Sequence, residues 1–259
     1  MALNKLVAYF RKMTRFGRKS YISDEILLDL ESKLNYRFTN RNLIIQALKH
    51  RSFLEVYGEE RICSNERLEL LGDAVLGLVV TEYLYEKYST KEEGDLTAMK
   101  SLVVSRKILA RIANAMNLGK YILLNDAEKK SGGRHRPSIV ADAFEAVIGA
   151  IYLDVGLSQA VDLINVKILS TLDTILNEEQ NKNFKSILLE YSQGKSYGLP
   201  VYSVRNESGP DHNKVFTVEV RVNDDVLGVG VGNSKKKAEQ IAAKNAMKRI
   251  KELNRSGQN

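Results

Sequence analysis

Five acidic residues on two segments have the types and spacing to do chemistry. In residues 65–76 (NERLELLGDAVL), Glu66, Glu69 and Asp73 stand at i, i+3 and i+7, which stacks them on one helical face. The same line continues through Leu76, Gly77, Val80 and Leu84, so the acids share a stripe with apolar residues. In residues 139–153 (IVADAFEAVIGAIYL) the only charged residues are Asp142 and Glu145, again three apart. An isolated carboxylate in apolar surroundings is costly to ionise. Two helices that each offer such acids suggest a shared cation. Oxygen donors without His or Cys favour a hard ion, Mg²⁺ or Mn²⁺. An ion held this way most often serves phosphate chemistry. A solvated acidic face and local ion pairing are the competing explanations, and Arg67 is the only basic residue inside either cluster. A di-iron bundle would need Glu-x-x-His pairs, and none of His50, His135 and His212 stands at i+3 from these acids. No Walker-type glycine loop is present.

A second constellation is basic. Lys235, Lys236 and Lys237 follow Gly232-Asn233-Ser234 and open a C-terminal helical pattern. The helix dipole disfavours cations at that end. A phosphate backbone docking there would meet both amide donors and lysines; a solvated charge run is the plainer alternative. Aromatic residues are not interleaved with the lysines, so base stacking is a weaker explanation than a duplex read by shape and backbone.

The elements that must position these residues fall into two grammars. From Ser23 to about Leu176 the pattern is helical. Ser23 reads as a cap for a helix over 26–34, Asn40 for one over 42–49, and Asn65 for a long helix to about Tyr88. Gly94-Asp95 precedes a helix running through Ala98–Ala110 toward Met116. Pro137 suits the first turn of a helix to about Asp154, Gly156 ends it, and Ser158 caps the next. Residues 177–183 (NEEQNKN) are polar and read as a linker. Then come a helix over 184–193, strand-like runs at 201–206, 215–223 and 226–232 separated by turn residues, and a final helix over 235–250. The expectation is an all-helical domain followed by a small α-β-β-β-α domain.

Charge distribution agrees with that division. The chain has 259 residues and a net charge of +7, of which residues 1–22 supply +6, residues 23–182 supply −4 and residues 183–251 supply +5. A 44% apolar content excludes an intrinsically disordered chain. No apolar run approaches the roughly 18 residues of a membrane span. The N-terminus lacks a secretory apolar core. The single cysteine, Cys63, points to a reducing compartment, with the cytoplasm as the expected location. Leu3, Leu6, Val7, Phe10 and Met13 fall at helical spacing among basic residues. That segment reads as a basic tail, a membrane-surface or RNA-touching arm, or a transit peptide.

With these residues in view, the chain resembles the ribonuclease III family. NERLELLGDAVL is similar to its signature motif, residues 30–53 to its opening segment, and residues 129–154 (KKSGGRHRPSIVADAFEAVIGAIYLD) to its second acidic motif. Residues 184–250 resemble a double-stranded-RNA-binding domain, most clearly in GPDHNKVF (209–216) and GVGNSKKKAEQIAA (230–243). The resemblance implies an endonuclease domain over 25–176 and an RNA-binding domain over 184–251, joined by the linker over 177–183 and flanked by a basic extension over 1–24, which has no counterpart in the family pattern, and a tail over 252–259. It implies Glu69, Asp73, Asp142 and Glu145 as Mg²⁺ ligands, Mn²⁺ being able to substitute, with Asp73 and Glu145 the catalytic pair. Glu66 would contact substrate or support the ligands. Glu190, Gln193 and His212 would touch the RNA minor groove, although a solvated turn is the plainer reading of His212. Lys235, Lys236 and Lys237 would hold phosphates. A homodimer cutting both strands of duplex RNA, with roles in processing ribosomal and other structured RNAs, is the implied function. An RNA-binding protein on an inactive nuclease fold and a small-molecule phosphohydrolase are the alternatives. Leu70 stands where many members have Phe at the dimer interface, Pro137 where Glu is common, and Leu189 where a Gln often faces the minor groove.

Overall fold

A computed structural model of the chain describes residues 21–256 apart from 182, 196, 211, 212 and 224. The basic N-terminal pattern up to Ser20, and His212, therefore lie outside the described residues. The chain divides into two compact units between Glu178 and Glu179.

The first unit is helical. Its elements are α1 (Asp24–Leu34), α2 (Arg41–Ala47), α3 (Arg51–Tyr57), α4 (Glu66–Lys87), α5 (Glu93–Val103), α6 (Arg106–Ala115), α7 (Asp126–Lys130), α8 (Pro137–Val155), α9 (Leu157–Lys167) and α10 (Leu172–Asn177). Capping follows the sequence at several ends. Ser23 Oγ accepts from Ile26 N, Asn40 Oδ1 from Asn42 N, and Pro137 opens α8. Elsewhere the expectation is corrected. Asn65 makes no side-chain cap; its backbone is already helical and its N–H donates to Lys49 O at 2.8 Å. The expected helix from 98 toward 116 is two helices, broken at Val104, because Ser105 caps α6 through Ile108 N. Ser158 lies inside α9, which begins directly after Gly156. Helix α3, capped by His50 Nδ1 accepting from Ser52 N, and short α7, capped by Asn125, were not expected.

α8 is the central helix. Eleven of its 19 residues are buried, Phe144 completely. Its pairing with α4 is the largest helix–helix contact of the unit. Two glycines make the crossing possible. A Cβ on Gly72 would stand 1.7 Å from Glu145 O, and one on Gly149 would stand 2.3 Å from Leu68 O. At the far end of α8, Asp154 accepts from Tyr36 Oη at 2.6 Å, Thr39 N at 2.7 Å and Asn40 N at 2.8 Å, which ties α8 to the start of α2.

The second unit is α11 (Phe184–Gly194), strands β1 (Val201–Ser208), β2 (Val215–Val222) and β3 (Asp225–Gly232), and α12 (Lys235–Ser256). The sheet is antiparallel in the order β1-β2-β3, with a register irregularity between Val204 and Asn206. Its core joins Leu188 of α11, Val220 of β2 and Ala242, Ala243 and Ala246 of α12. α12 lies close on β3: a Cβ at Gly230 would stand 2.2 Å from Ala238 O. Small residues on both sides, Gly228, Gly230 and Gly232 against Ala238, Ala242 and Ala246, make that approach possible.

Candidate functional site

The α4–α8 crossing assembles the acids. Glu69 is one residue on from buried Leu68, and Asp142 and Glu145 lie on the facing turns of α8. Carboxylate oxygens of Glu69, Asp142 and Glu145 lie within 4.8 Å of one another, and all three side chains are half-buried. Asp73, one turn further along α4, is exposed and stands outside this trio. Its charge still reaches Glu145 and Glu69. Glu66 points to a different partner, in a bidentate pair with Arg61 at 2.8 and 3.0 Å. The apolar stripe predicted beyond the acids is real for Leu76, Val80 and Leu84. The acids themselves line a rim, not a sealed interior.

Electrostatics describe a cluster short of positive charge. Burial, then the charges of Asp73, Glu69 and Asp142, push the Glu145 carboxyl up to about 8. Burial and Asp142 raise Glu69. Burial also raises Asp142, against the opposing pull of Arg106. Glu66 shifts the other way, held down by its hydrogen bonds from Arg61. The donor set is all oxygen, acidic and drawn from two rigid helices, which suits a hard divalent cation. An ion there would offset the burial and the mutual repulsion that together raise the Glu145 carboxyl.

Two basic residues escape sequence reasoning. Arg61 engages Glu66, and with His50, Arg51, Ser52, Asn125 and Glu128 it lines an open cleft of about 730 Å³. Arg106 Nε lies 3.9 Å from Asp142 Oδ1. Ion pairing does therefore contribute, from outside the clusters rather than from Arg67. The available signal was charge at the wrong helix end: Arg106 and Lys107 open α6, as the three lysines open α12.

In the second unit, Lys235, Lys236 and Lys237 are exposed on the first turn of α12. Ser234 Oγ accepts from Lys237 N at 3.3 Å and fixes that turn. Lys235 Nζ also lies 5.6 Å from the Phe216 ring centroid. Glu190 and Gln193 are exposed on the last turns of α11.

The chain is thus a helical unit with a two-helix carboxylate cluster, followed by an α-β-β-β-α unit with a lysine-tipped helix. Residues 40–172 match the family model described as ribonuclease-III-like, and residues 184–250 match the double-stranded RNA binding motif. Ribonuclease 3 of Fusobacterium nucleatum is 46% identical over 218 residues, covering 84% of this chain and 93% of that protein. Ribonuclease 3 of Campylobacter jejuni is 42% identical over 221 residues, covering 85% and 96%. The crystal structure of the nuclease domain of ribonuclease III from C. jejuni is similar at a TM-score of 0.51 and 41% identity, covering 62% of this chain and 99% of that one. The chain belongs to the ribonuclease III family and is a double-stranded-RNA endoribonuclease. Among the described residues, no helix is long and apolar enough to cross a membrane.

Proposed function

We propose that the chain hydrolyses duplex RNA with Mg²⁺ as its ion, Mn²⁺ being able to substitute. The observation that carries this is the half-buried trio Glu69, Asp142 and Glu145, with oxygens within 4.8 Å of one another. These three residues would hold the ion, with Asp73 completing the set from the exposed side. When bound, the ion polarises a phosphoryl oxygen and activates water for attack in line at phosphorus. The chain's own part is to fix and charge the site. Burial and its acidic neighbours push the Glu145 carboxyl up to about 8 in the absence of a cation, so ion binding would be coupled to proton release. Asp73, exposed one turn along α4, is free to orient water or accept a proton. As the family resemblance implies, Asp73 and Glu145 are the catalytic pair in this proposal, and Glu66 contacts or orders substrate while Arg61 holds it.

The products are 5′-phosphate and 3′-hydroxyl ends with short 3′ overhangs, from a homodimer in which each protomer cuts one strand. Leu70, 75% exposed on α4, is an apolar contact suited to that dimer. Lys235, Lys236 and Lys237 take backbone phosphates, and Glu190, Gln193 and His212 take the minor groove. Ribosomal RNA precursors and other structured RNAs in the cytoplasm are the substrates. The boundaries of this division of labour are a basic extension over 1–24, the endonuclease domain over 25–176, a linker over 177–183, the RNA-binding domain over 184–251 and a tail over 252–259.

Glu145→Gln tests the site. It should bind duplex RNA like wild type and lose cleavage in Mg²⁺ by at least two orders of magnitude, about 2.7 kcal/mol in the barrier. Wild-type cleavage by this variant would overturn the assignment.

A further inference from the structure

The acid cluster sits where a polyanion must come. Three half-buried carboxylates, with Glu66 and Asp73 on the same helix, repel an RNA backbone as strongly as they attract a cation. Some positive charge has to meet the substrate at this rim. Arg61 does not serve freely, because Glu66 holds its guanidinium on two atoms. Lys100 lies along α4 at Gly77, a turn beyond Asp73, with Nζ 3.5 Å from where a Gly77 Cβ would be.

Arg106 is placed differently. It is the first residue of α6, which packs on α8. Its side chain is 66% exposed, and its Nε stands 3.9 Å from Asp142 Oδ1, too long for a hydrogen bond. It is the basic residue whose charge is felt by Glu69, Asp142 and Glu145 alike. It occupies the helix end that disfavours cations, so α6 gains nothing from it there. The guanidinium fork suits a phosphate better than a single long contact with a carboxylate.

Resting on the metal-site reading above, we propose that Arg106 is a substrate-positioning residue with two alternating partners. Without a divalent ion it leans on Asp142 as a partial counter-charge. When an ion takes over that carboxylate, the guanidinium is released to hold a backbone phosphate of the duplex beside the scissile one. The two partners make opposite demands, and that makes the idea testable. Removing the arginine should help the ion and harm the RNA.

The experiment uses the full-length chain with Arg106→Gln and Arg106→Lys, and Mn²⁺ alone as the metal probe. Mn²⁺ affinity is read by thermal shift and by the paramagnetic signal of free ion. Arg106→Gln should bind Mn²⁺ about 3–10-fold tighter, since an exposed charge near 4 Å is worth a modest fraction of its unscreened Coulomb energy. Initial-rate cleavage of a short duplex across a salt series should show KM raised several-fold, kcat changed less, and a log KM–log salt slope shallower by about one. Arg106→Lys should restore most of the KM and the slope. Weaker Mn²⁺ binding by Arg106→Gln would mean that the arginine only supports the acid cluster. An unchanged KM and salt slope would remove the phosphate contact. If wild type itself binds no Mn²⁺ that Glu145→Gln abolishes, the metal-site reading has failed, and that outcome is separate from either of these.

Discussion

The crossing of α4 and α8 gives the sharpest prediction, because one methyl group tests fold and site together. In Gly72→Ala the new Cβ would stand 1.7 Å from Glu145 O, 2.6 Å from Glu145 C and 3.0 Å from Gly149 N. All three are backbone atoms, so no rotamer change can relieve the contact. Ordinary contact begins near 3.4 Å, so the helices must part by about 1.5 Å or more. Overpacking of a core costs about 1–3 kcal/mol, and a backbone-on-backbone clash belongs at the upper end. At about 2–4 °C per kcal/mol for a chain of this size, the melting temperature should fall by about 6–12 °C. The displaced residue is itself Glu145, so the acid trio opens as the helices part. Magnesium at about a hundred times its Kd should add about 2.7 kcal/mol to wild type. A tenfold loss of affinity would cut that gain in Gly72→Ala to about 1.4 kcal/mol at the same concentration.

The assay is a pair of thermal melts for each protein, with EDTA and with Mg²⁺. Gly94→Ala is the control. Gly94 lies in the first turn of α5 with nothing within 4 Å of its would-be Cβ. That change should stabilise by about half a kcal/mol through lost unfolded-state freedom. If Gly72→Ala melts within a degree of wild type and gains the same stabilisation from Mg²⁺, the close approach does not set the site, and the reasoning fails.

Two further outcomes follow from charge. Glu145 has a folded pKa of about 8 against an ordinary value of 4.5. The folded state therefore holds the extra proton between those values. By linkage, metal-free stability falls as pH rises through that window, and the raised Glu69 and Asp142 add with the same sign in their own ranges. Urea melts in EDTA from pH 5 to 9 should show this decline, with Glu145→Gln flattening much of it; a variant profile that superimposes on wild type would contradict the assignment. In the RNA-binding unit, Lys235, Lys236 and Lys237 changed together to Gln should weaken duplex binding and flatten the log–log salt dependence by about two to three. The melting temperature should hold or rise slightly, since three cations leave the N-terminal end of α12; an unchanged salt slope would place the phosphates elsewhere.

Much of this architecture is legible in the sequence, and the exceptions share a cause. α4 and α8 run 22 and 19 residues, long enough for apolar periodicity to outvote local ambiguity. The three strands and the alanine run of α12 are equally plain, because alternation and small residues mark their faces. The break between α5 and α6 is hidden because apolar positions continue through Leu102, Val103, Ile108, Leu109 and Ile112. One hydroxyl, Ser105, decides it by offering Ile108 N a competing acceptor at 3.4 Å. That break is what makes Arg106 a helix-opening residue beside Asp142, so a local capping choice sets a long-range ion pair. Arg61 and Glu66 likewise meet through a turn whose shape no periodicity encodes.

Asp73 teaches the same lesson from the other side. Helical spacing aligns it with Glu66, Glu69 and buried Leu76, yet it is exposed. Periodicity gives the direction of a side chain about its own axis. Whether that direction is buried depends on how far the neighbouring helix extends over it. α8 meets α4 closely at Gly72 and Gly149, and that contact covers Leu76 and Val80 while leaving the flanking acids at a rim. The metal-dependent hydrolysis proposed above would require this. Carboxylates sealed in a core would neutralise and meet no substrate, and carboxylates fully in water would not repel strongly enough to demand a cation. Glu145, half-buried at the crossing, and Asp73, exposed one turn away, occupy the two sides of that boundary, so the glycine contact that sets the helix distance also sets which acid is covered and which is open to solvent.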